Sequence, residues 1–447
     1  MSSSENQHDR FRVIGVVGAT GVIVAATVGS GIFSLTGTFG ASVGTPRNLI
    51  APWIIGGIIA LCGGLSLAEL GAMIPCSGGS IEFARRAFGA TIGYLVAIVT
   101  LLAGYILSIT VIALFFAGFI DALVPTGLPD SAEAAIAIAI AFGSQIAGLH
   151  AGFKFNTALS ILKVAFVGLF VVAGLLVSDN ARIALPSSVD PSVDPGLFSP
   201  AVASATLAVS FAYLGWSSGA DIAGEIKNPG RNIPRAMLSA IAIIFVLYIG
   251  VNLVYLRAID PAAMLEPDGK PMKAIGAVAA EVLFGKSVGS VIAIAIAILL
   301  FSTLVPSMIG AARIIESMAS SREIPAWMGI RLANGVPLRG LVVAALASIA
   351  ALAIGSLNDI LEMLTVLVNV FSALSVGAIF VLRRTMPDAP RPFRVPFYPV
   401  TPILYLGLAA WSIVVGVMAS GLRGLIASAI AVAVLLLIRP LLTFDRR

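Results

Sequence analysis

Two glycines enclose a serine in the middle of the first long apolar stretch of the chain, at Gly29-Ser30-Gly31. An unpaired backbone amide in hydrocarbon is costly, so a helix break at this depth must be buried in protein or line a cavity. A half-helix that begins near Gly31 directs its positive end at the gap and stabilises a carboxylate or phosphate. A half-helix that ends near Thr27 and Val28 leaves carbonyls that suit an ammonium group. Donors on one side and acceptors on the other fit an α-amino acid zwitterion.

Close helix packing is the alternative explanation of the same triplet, because small residues let membrane helices approach one another. The nearby Gly15, Gly18 and Gly21 are open to the same explanation. Ser30 favours a binding role, since its hydroxyl can bond a substrate as well as freed backbone groups.

A second candidate break lies in the sixth apolar stretch, at Phe211-Ala212-Tyr213-Leu214-Gly215-Trp216. Freed carbonyls near Phe211 and Leu214 could share the ammonium, with an aromatic ring covering the pocket. Ordinary packing of aromatic residues in a continuous helix is the alternative. Gly215, with Ser217-Ser218-Gly219 after it, argues against a continuous helix. Breaks at corresponding positions of two halves are how secondary transporters build a substrate site.

Lys163 is the only lysine or arginine that we place inside a membrane span. Its charge costs about 2.5–3.5 kcal/mol at the centre of a helix on the insertion scale. One interpretation is a fixed cation that bonds the freed carbonyls of span 1 in place of a sodium ion, and that could also carry a proton. The other is a side chain that extends to the cytoplasmic surface.

A charged group is expected at the cytoplasmic ends of spans 6, 7 and 8. Its members are Asp221, Glu225, Arg231, Arg235 and Arg313. Surface ion pairs are individually weak. An inner gate network and simple solvation of loops are both open interpretations, and we favour the gate.

The composition indicates a membrane protein. Of the 447 residues 59% are hydrophobic and 11% are charged, with a mean hydropathy of +1.04, whereas soluble proteins carry about 25% charged residues. The chain has only two cysteines, Cys62 and Cys76, and two histidines, His8 and His150. We therefore expect no disulfide framework, metal, cofactor or enzymatic centre. The basic residues are scattered through short loops and form no patch, so no nucleic-acid partner is expected.

A membrane helix needs about 20 apolar residues. This length criterion predicts twelve spans in an all-α integral membrane protein. They are residues 13–39, 48–73, 90–121, 132–150, 156–178, 199–221, 236–257, 287–312, 338–356, 360–382, 401–419 and 424–442. Of the 27 Lys and Arg residues, 19 fall on the side of the two termini and 7 on the other. This asymmetry predicts that both termini are cytoplasmic.

The two breaks lie five spans apart. Because five is an odd number, the second unit enters the membrane from the opposite side, as expected of two inverted five-helix units. We assign a cytoplasmic tail to residues 1–12, the first unit to 13–178 and the second to 199–384. Residues 385–447 then hold helices 11 and 12 and a short cytoplasmic C-terminal tail. The halves show no clear similarity at the level of residues, so the repeat rests on the breaks alone.

Four groups of residues occur in order along most of the chain. They are Val28-Gly29-Ser30-Gly31-Ile32-Phe33; Leu67-Ala68-Glu69-Leu70-Gly71-Ala72-Met73-Ile74-Pro75 with Ser77-Gly78-Gly79; Phe211 through Trp216 with Glu225-Ile226-Lys227-Asn228-Pro229 and Arg231-Asn232-Ile233-Pro234; and Pro387-Asp388 with Arg391-Pro392-Phe393-Arg394-Val395-Pro396 and Tyr398-Pro399. Together they resemble the amino acid–polyamine–organocation transporter superfamily, and within it the L-type amino acid transporters.

The resemblance implies roles for individual residues. The carboxylate would meet the amides of Ser30, Gly31 and Ile32, and the ammonium would meet the carbonyls of Thr27, Phe211 and Leu214. The substrate-binding set is then Thr27, Val28, Gly29, Ser30, Gly31, Ile32, Phe211, Ala212, Leu214 and Gly215, and the gating and coupling set is Lys163, Phe211, Tyr213, Glu225 and Arg313. In this scheme Phe211 is an aromatic gate, and Lys163 takes the place of the span 5 lysine of sodium-independent members.

Two residues depart from the family pattern. Leu214 stands where many L-type members have glycine, which narrows the side-chain pocket, and Pro306 in span 8 has no match. No cysteine is placed to tether an accessory subunit, so none is expected.

The leading hypothesis is a sodium-independent transporter of a neutral or small amino acid in a bacterial inner membrane. It would work by alternating access, as an exchanger or a proton-coupled symporter. A cationic amino acid or polyamine carrier is the alternative. It would need carboxylates deep in spans 1, 3, 6 or 8, and we find none there. An amino acid sensor on the same scaffold would want a longer soluble tail.

Overall fold

The computed structural model describes residues 12–76, 78–146, 153–177, 194–266, 268–331, 336–420 and 423–442. The tail predicted at residues 1–12 lies outside these residues except for Arg12, as do His8, His150 and the predicted end of span 4. The described residues form sixteen helices, numbered here in chain order. The first eight are α1 (Val16–Thr27), α2 (Gly31–Val43), α3 (Pro46–Met73), α4 (Gly79–Phe88), α5 (Ala90–Leu123), α6 (Asp130–Ile146), α7 (Phe153–Leu176) and α8 (Pro200–Ala212). The others are α9 (Ser218–Asp221), α10 (Pro229–Ala258), α11 (Ile275–Phe284), α12 (Lys286–Ser320), α13 (Leu338–Ala351), α14 (Leu357–Thr385), α15 (Val400–Ser420) and α16 (Arg423–Leu442).

Each predicted span overlaps one helix or, for spans 1 and 6, helices on the two sides of a break. Among the described residues six helices are long and apolar enough to cross a membrane, namely α3, α5, α10, α12, α14 and α15. The α1–α2 pair passes the same test when taken together, with a bend of 42° between its halves. The protein is therefore an all-helical multi-pass membrane protein. The full count of twelve crossings stays a prediction.

Two short helices were not predicted. Helices α4 and α11 are each ten residues long, and each is followed by a glycine in the left-handed half of backbone space. Gly89 has φ 89° and ψ 174°, and Gly285 has φ 83° and ψ 163°. Residues with a side chain avoid this conformation. A criterion of about 20 apolar residues does not detect helices of ten residues.

The same two places carry a sequence similarity that the sequence analysis missed. Phe88-Gly89-Ala90-Thr91-Ile92-Gly93 and Phe284-Gly285-Lys286-Ser287-Val288-Gly289 share a Phe-Gly-x-x-(Ile/Val)-Gly pattern. A Cβ atom on the last glycine of each motif would lie 2.7 Å from the Cβ of Arg85 and 2.6 Å from the Cα of Glu281. In both halves that neighbour is the residue eight positions earlier. Each motif thus folds a short helix tightly against the start of a long one.

A buried carboxylate joins α3 to the far end of the chain. Glu69 accepts hydrogen bonds from the guanidinium of Arg383 at 2.8 and 2.6 Å, and from the backbone N–H of Val395 at 2.6 Å. Arg391 lies 3.6 Å from the same carboxylate. A buried charge that is paired and hydrogen-bonded in this way has a structural role, because removing one partner leaves the other charge buried without compensation and destabilises the fold.

Candidate functional site

The first helix breaks over residues 28–30. Val28 ends α1 in an extended conformation (φ −73°, ψ 97°), and α2 starts again at Gly31. The first amides of a helix have no partner within it, so the start of α2 presents N–H groups at the gap. The Ser30 hydroxyl is 2% exposed and has no hydrogen-bond partner among the described residues. This break therefore presents hydrogen-bond donors, the first N–H groups of α2 and the Ser30 hydroxyl, that have no acceptor within the helix.

The second break is tighter than the first. Helix α8 ends at Ala212, and Leu214–Ser217 form a 3₁₀ turn before the short helix α9 begins. The Trp216 N–H donates to the Tyr213 carbonyl at 3.1 Å within this turn. The axis of the sixth span is thus interrupted while part of its hydrogen bonding is kept.

The two breaks lie in direct contact. A Cβ atom added to Gly31 would come within 2.7 Å of the Ala212 Cβ. One added to Gly215 would come within 2.5 Å of the Thr27 hydroxyl oxygen and 2.6 Å of the Thr27 backbone nitrogen. Glycine is required at both positions because each break packs against the backbone of the other.

A tyrosine of α10 joins the two breaks. The Tyr248 hydroxyl lies 2.8 Å from the Thr27 carbonyl oxygen and 2.8 Å from the Ala212 carbonyl oxygen, and the residue is fully buried. These are the last residues of α1 and α8. Since a carbonyl has two lone pairs, Thr27 can still accept a second donor.

Two further residues of α10 hold the other half of the first span. The Tyr255 hydroxyl donates to the Ile32 carbonyl at 3.1 Å, and the Thr36 hydroxyl donates to the Asn252 side-chain oxygen at 2.5 Å. With Tyr248 these residues are spaced by four and three, which places them on one face of the helix. This face was not predicted from the sequence. The spacing of three polar residues within an apolar stretch was the available signal.

A cavity of about 740 Å³ adjoins both breaks. The predicted residues that line it are Thr27, Gly29, Ser30, Gly31, Lys163, Phe211, Ala212, Leu214, Gly215 and Arg313. Val28 and Ile32 are fully buried and lie outside the lining. The structure thus brings most of the predicted residues to one space.

Lys163 is buried on α7 and lines the cavity. Its ammonium donates to the Thr303 hydroxyl of α12 at 2.9 Å, whereas the sequence suggested a bond to the span 1 carbonyls. The Thr303 hydroxyl in turn donates to the Leu299 carbonyl at 2.9 Å. The ammonium therefore links α7 to α12, an arrangement that depends on the tertiary packing of two distant helices.

Tyr213 lies behind the site instead of at its entrance. Its hydroxyl donates to the Trp53 carbonyl at 3.0 Å, and its ring lies 5.1 Å from the ring of Tyr248. The Trp53 ring completes the cluster, 5.3 Å from Tyr248. These aromatic residues support the second break from the side of α3.

The structure gives Asp221, Glu225 and Arg313 separate surroundings, and the gate network stays a prediction. The Asp221 carboxylate accepts from the Ser80 N–H at 3.2 Å and from the Ser80 hydroxyl at 2.9 Å. No ion pair joins Asp221, Glu225 and Arg313 to one another in the described structure. Arg313 is exposed and lines the cavity, while Glu225 is exposed and lies outside its lining.

Glu225 takes part in the structure through its backbone. Its carbonyl accepts from the Ile14 N–H at 3.0 Å, and the Lys227 N–H donates to the Ile14 carbonyl at 2.9 Å. This short parallel bridge joins the segment before α1 to the segment after α9. The two spans that break are thus linked at their ends as well as at their gaps.

The chain is similar to known amino acid transporters along most of its length. The family model described as amino acid permease matches residues 14–437. The serine/threonine exchanger of Bacillus subtilis is 28% identical, covering 88% of this chain and 88% of that protein. The methylthioribose transporter of the same organism is 26% identical over 92% and 90%, and human large neutral amino acids transporter small subunit 2 is 26% identical over 88% and 73%. These relatives are transporters and not enzymes. The chain belongs to the amino acid permease family, as its motifs predicted.

Proposed function

We propose that this protein carries a small neutral amino acid across a cell membrane by alternating access, without sodium. The observation that carries the proposal is the contact between two broken helices at the side of a large cavity. One break supplies unpaired donors, and the other packs so closely that a Cβ atom added to Gly31 would lie 2.7 Å from the Ala212 Cβ. Backbone groups at such breaks are the means by which transporters bind charged groups at membrane depth.

The two ends of an amino acid fit the two kinds of group at this site. The carboxylate would accept from the amides at the start of α2 and from the Ser30 hydroxyl, aided by the helix dipole. The ammonium would donate to the carbonyls at the ends of α1 and α8, beside Phe211 and Leu214. Phe211 lines the cavity next to these carbonyls and would cover the substrate as the gate.

The charges of the cavity favour a neutral substrate over a cationic one. Its charged lining residues are Lys163, Asp221 and Arg313. The Asp221 carboxylate is engaged by Ser80, and the other two are positive. A cationic amino acid or a polyamine would meet net repulsion in this space.

Lys163 supports independence from sodium. A fixed ammonium beside the broken spans supplies the positive charge that a bound cation would otherwise bring. Replacing it, as Lys163→Ala, is expected to reduce turnover strongly while protein yield is kept. Normal transport by this variant would refute a coupling role and leave Lys163 as a packing residue.

The architecture that we propose has twelve spans, with inverted units at residues 13–178 and 199–384 and two added helices in 385–447. The paired breaks support it, and so do the matching helix–glycine–helix junctions at Gly89 and Gly285. An excess of Lys and Arg on the side of the termini supports cytoplasmic ends. We place the protein in a bacterial inner membrane.

The described cavity is best explained as open to the cytoplasm. Its lining includes Ser80, Asp221 and Arg313, at the ends of spans that we place on the cytoplasmic side. On the other side of the breaks, the Phe33 and Phe166 rings lie 6.2 Å apart, and Tyr255 is bonded to Ile32. This packing would close the external route.

We propose that the chain works without an accessory subunit. One relative is named as a small subunit of a transporter. Here Cys62 is buried within α3 and Cys76 follows its end, so neither suits a covalent tether on the external side. Uptake by the purified chain alone would support this proposal, and a need for added membrane extract would contradict it.

The experiment is uptake of radiolabelled amino acids into proteoliposomes holding the purified protein. We expect uptake of small neutral amino acids in sodium-free buffer, together with either stimulation by internal substrate or stimulation by an inward proton gradient. Lysine, putrescine and methylthioribose serve as competing solutes. Preference for any of these, or a strict requirement for sodium, would overturn the proposed function.

A further inference from the structure

The cavity wall formed by α5 and α12 is rich in hydroxyl groups. Thr100 and Ser108 of α5 and Ser302 and Ser307 of α12 all line it. Each donates its own hydrogen to a backbone carbonyl of the same helix, at Val96 (2.7 Å), Ala103 (2.9 Å), Leu299 (2.7 Å) and Thr303 (2.8 Å) respectively. A hydroxyl has one donor and two acceptor lone pairs. With the donors used, this wall offers the cavity acceptors.

Pro306 adds a further acceptor to the same wall. It lies inside α12 and lines the cavity. Proline has no N–H, so the carbonyl four residues earlier, that of Ser302, lacks its usual helical donor. The wall near Ser302 therefore holds both a hydroxyl and a carbonyl that can accept from a ligand.

The segment of α5 that carries two of these groups is also irregular. Thr100–Leu107 form a π-helix, and the Ser108 hydroxyl bonds the carbonyl five residues before it. Short π segments are rare and are frequent at functional sites. This one widens the turn of α5 that lines the cavity.

We propose that the substrate is a small α-amino acid whose side chain carries a hydroxyl group, and that Ser302, Pro306 and Ser307 select it. The proposal rests on the proposed function. The hydroxyl hydrogen is donated to the α12 wall while the zwitterion is held at the breaks. Thr303 is left out of this set because its oxygen already accepts from Lys163 and its hydrogen is donated to Leu299, so that only one lone pair remains.

Other side chains fit this wall less well. An aliphatic side chain would leave the acceptors without a donor, and a cationic one would meet Lys163 and Arg313. A carboxamide brings a donor but also an oxygen, which would face lone pairs. Only a hydroxyl supplies a donor and has its remaining lone pairs free to turn toward water.

The test is a ratio of uptake efficiencies, kcat/KM, for pairs of amino acids that differ by the hydroxyl. L-serine is compared with L-alanine, and L-threonine with L-valine, in proteoliposomes. Wild-type protein is expected to favour the hydroxylated member by about five- to tenfold, the value of one net hydrogen bond. The variant with both Ser302→Ala and Ser307→Ala is expected to lower both ratios by about threefold, because only the Ser302 backbone carbonyl remains as an acceptor.

Pro306→Ala gives a second variant that is expected to fold at least as well as wild type. Its new N–H can bond the Ser302 carbonyl within the helix, so the ratio is expected to fall by about threefold. Ser290→Ala is the matched control. Ser290 is exposed on the same helix and donates to the Lys286 carbonyl at 3.0 Å, outside the cavity. Its ratios should equal those of wild type.

The outcomes separate the inference from the proposed function. If wild-type protein carries alanine as efficiently as serine, or if the double variant keeps the wild-type ratio, the inference is wrong and amino acid transport stands. If neither member of either pair is carried, the proposed function fails with it.

Discussion

The break between α1 and α2 opens the backbone through an extended residue, whereas the break after α8 tightens it into a 3₁₀ turn. At the first, Ser30 has no hydrogen-bond partner among the described residues, and at the second, Trp216 still bonds Tyr213. The first break is therefore rich in unpaired donors and the second is nearly self-satisfied. The difference indicates that the carboxylate is held mainly by the first break, while the second positions the acceptors.

The contact between Gly31 and Ala212 should be the most sensitive point of this arrangement. Gly31→Val places a branched side chain where the Ala212 Cβ would lie only 2.7 Å from the first added carbon. Displacing reacting or binding groups by about 1 Å can cost a hundredfold, so we expect at least about that loss of uptake. Gly21→Ala is the control, because nothing lies within 4 Å of its added Cβ. Similar uptake by the two variants would contradict the direct contact of the breaks.

Gly215→Ala tests the same contact from the other side. The added methyl would lie 2.6 Å from the Thr27 backbone nitrogen. The added group is a single methyl, smaller than the side chain of Gly31→Val, so we expect a loss of about ten- to thirtyfold. Uptake kinetics at several substrate concentrations give the measurement. Uptake equal to that of wild type would show that Gly215 does not pack closely against Thr27.

Tyr248→Phe removes the hydroxyl that the two breaks share. Leaving buried carbonyls with one donor fewer costs about 1–3 kcal/mol. We expect a lower melting temperature and uptake reduced by about tenfold, since the two ends are no longer held together. Both readouts are made on the same detergent-purified sample. An unchanged melting temperature would show that the hydroxyl does not stabilise the breaks.

Ser30→Ala should separate binding from stability. Because the Ser30 hydroxyl has no partner among the described residues, its removal is expected to leave the melting temperature within about 1 °C of wild type. KM should rise by about tenfold or more, the value of one hydrogen bond to a charged carboxylate. A drop in stability without a change in KM would make Ser30 a structural residue.

The position of the first break could be read from the sequence because its cause is local. Gly29, Ser30 and Gly31 weaken the helix through their own backbone freedom, and no distant residue is needed to see it. The second break was located by Gly215, but its 3₁₀ form and its close packing against Thr27 were not predicted. Pattern alone therefore gave the place of this break and not its shape.

Other parts of the site depend on contacts between distant residues. Tyr248 reaches Thr27 across 221 positions, and Lys163 reaches Thr303 across 140. Single-helix periodicity carries no information about such partners. The helices α4 and α11 were missed for a different reason, since ten residues are too few to register as a membrane span. Their shared Phe-Gly-x-x-(Ile/Val)-Gly pattern was visible in the sequence and supports the proposed repeat.

Calorimetric titration of the purified protein shows whether the two breaks together hold a zwitterion. L-serine is compared with ethanolamine, which lacks the carboxylate, and with 3-hydroxypropionate, which lacks the ammonium. We expect L-serine to bind and each analogue to bind at least about a hundredfold more weakly, because charge-assisted bonds at one break are lost. Binding of either analogue with the affinity of L-serine would show that one break alone suffices, and would contradict the account.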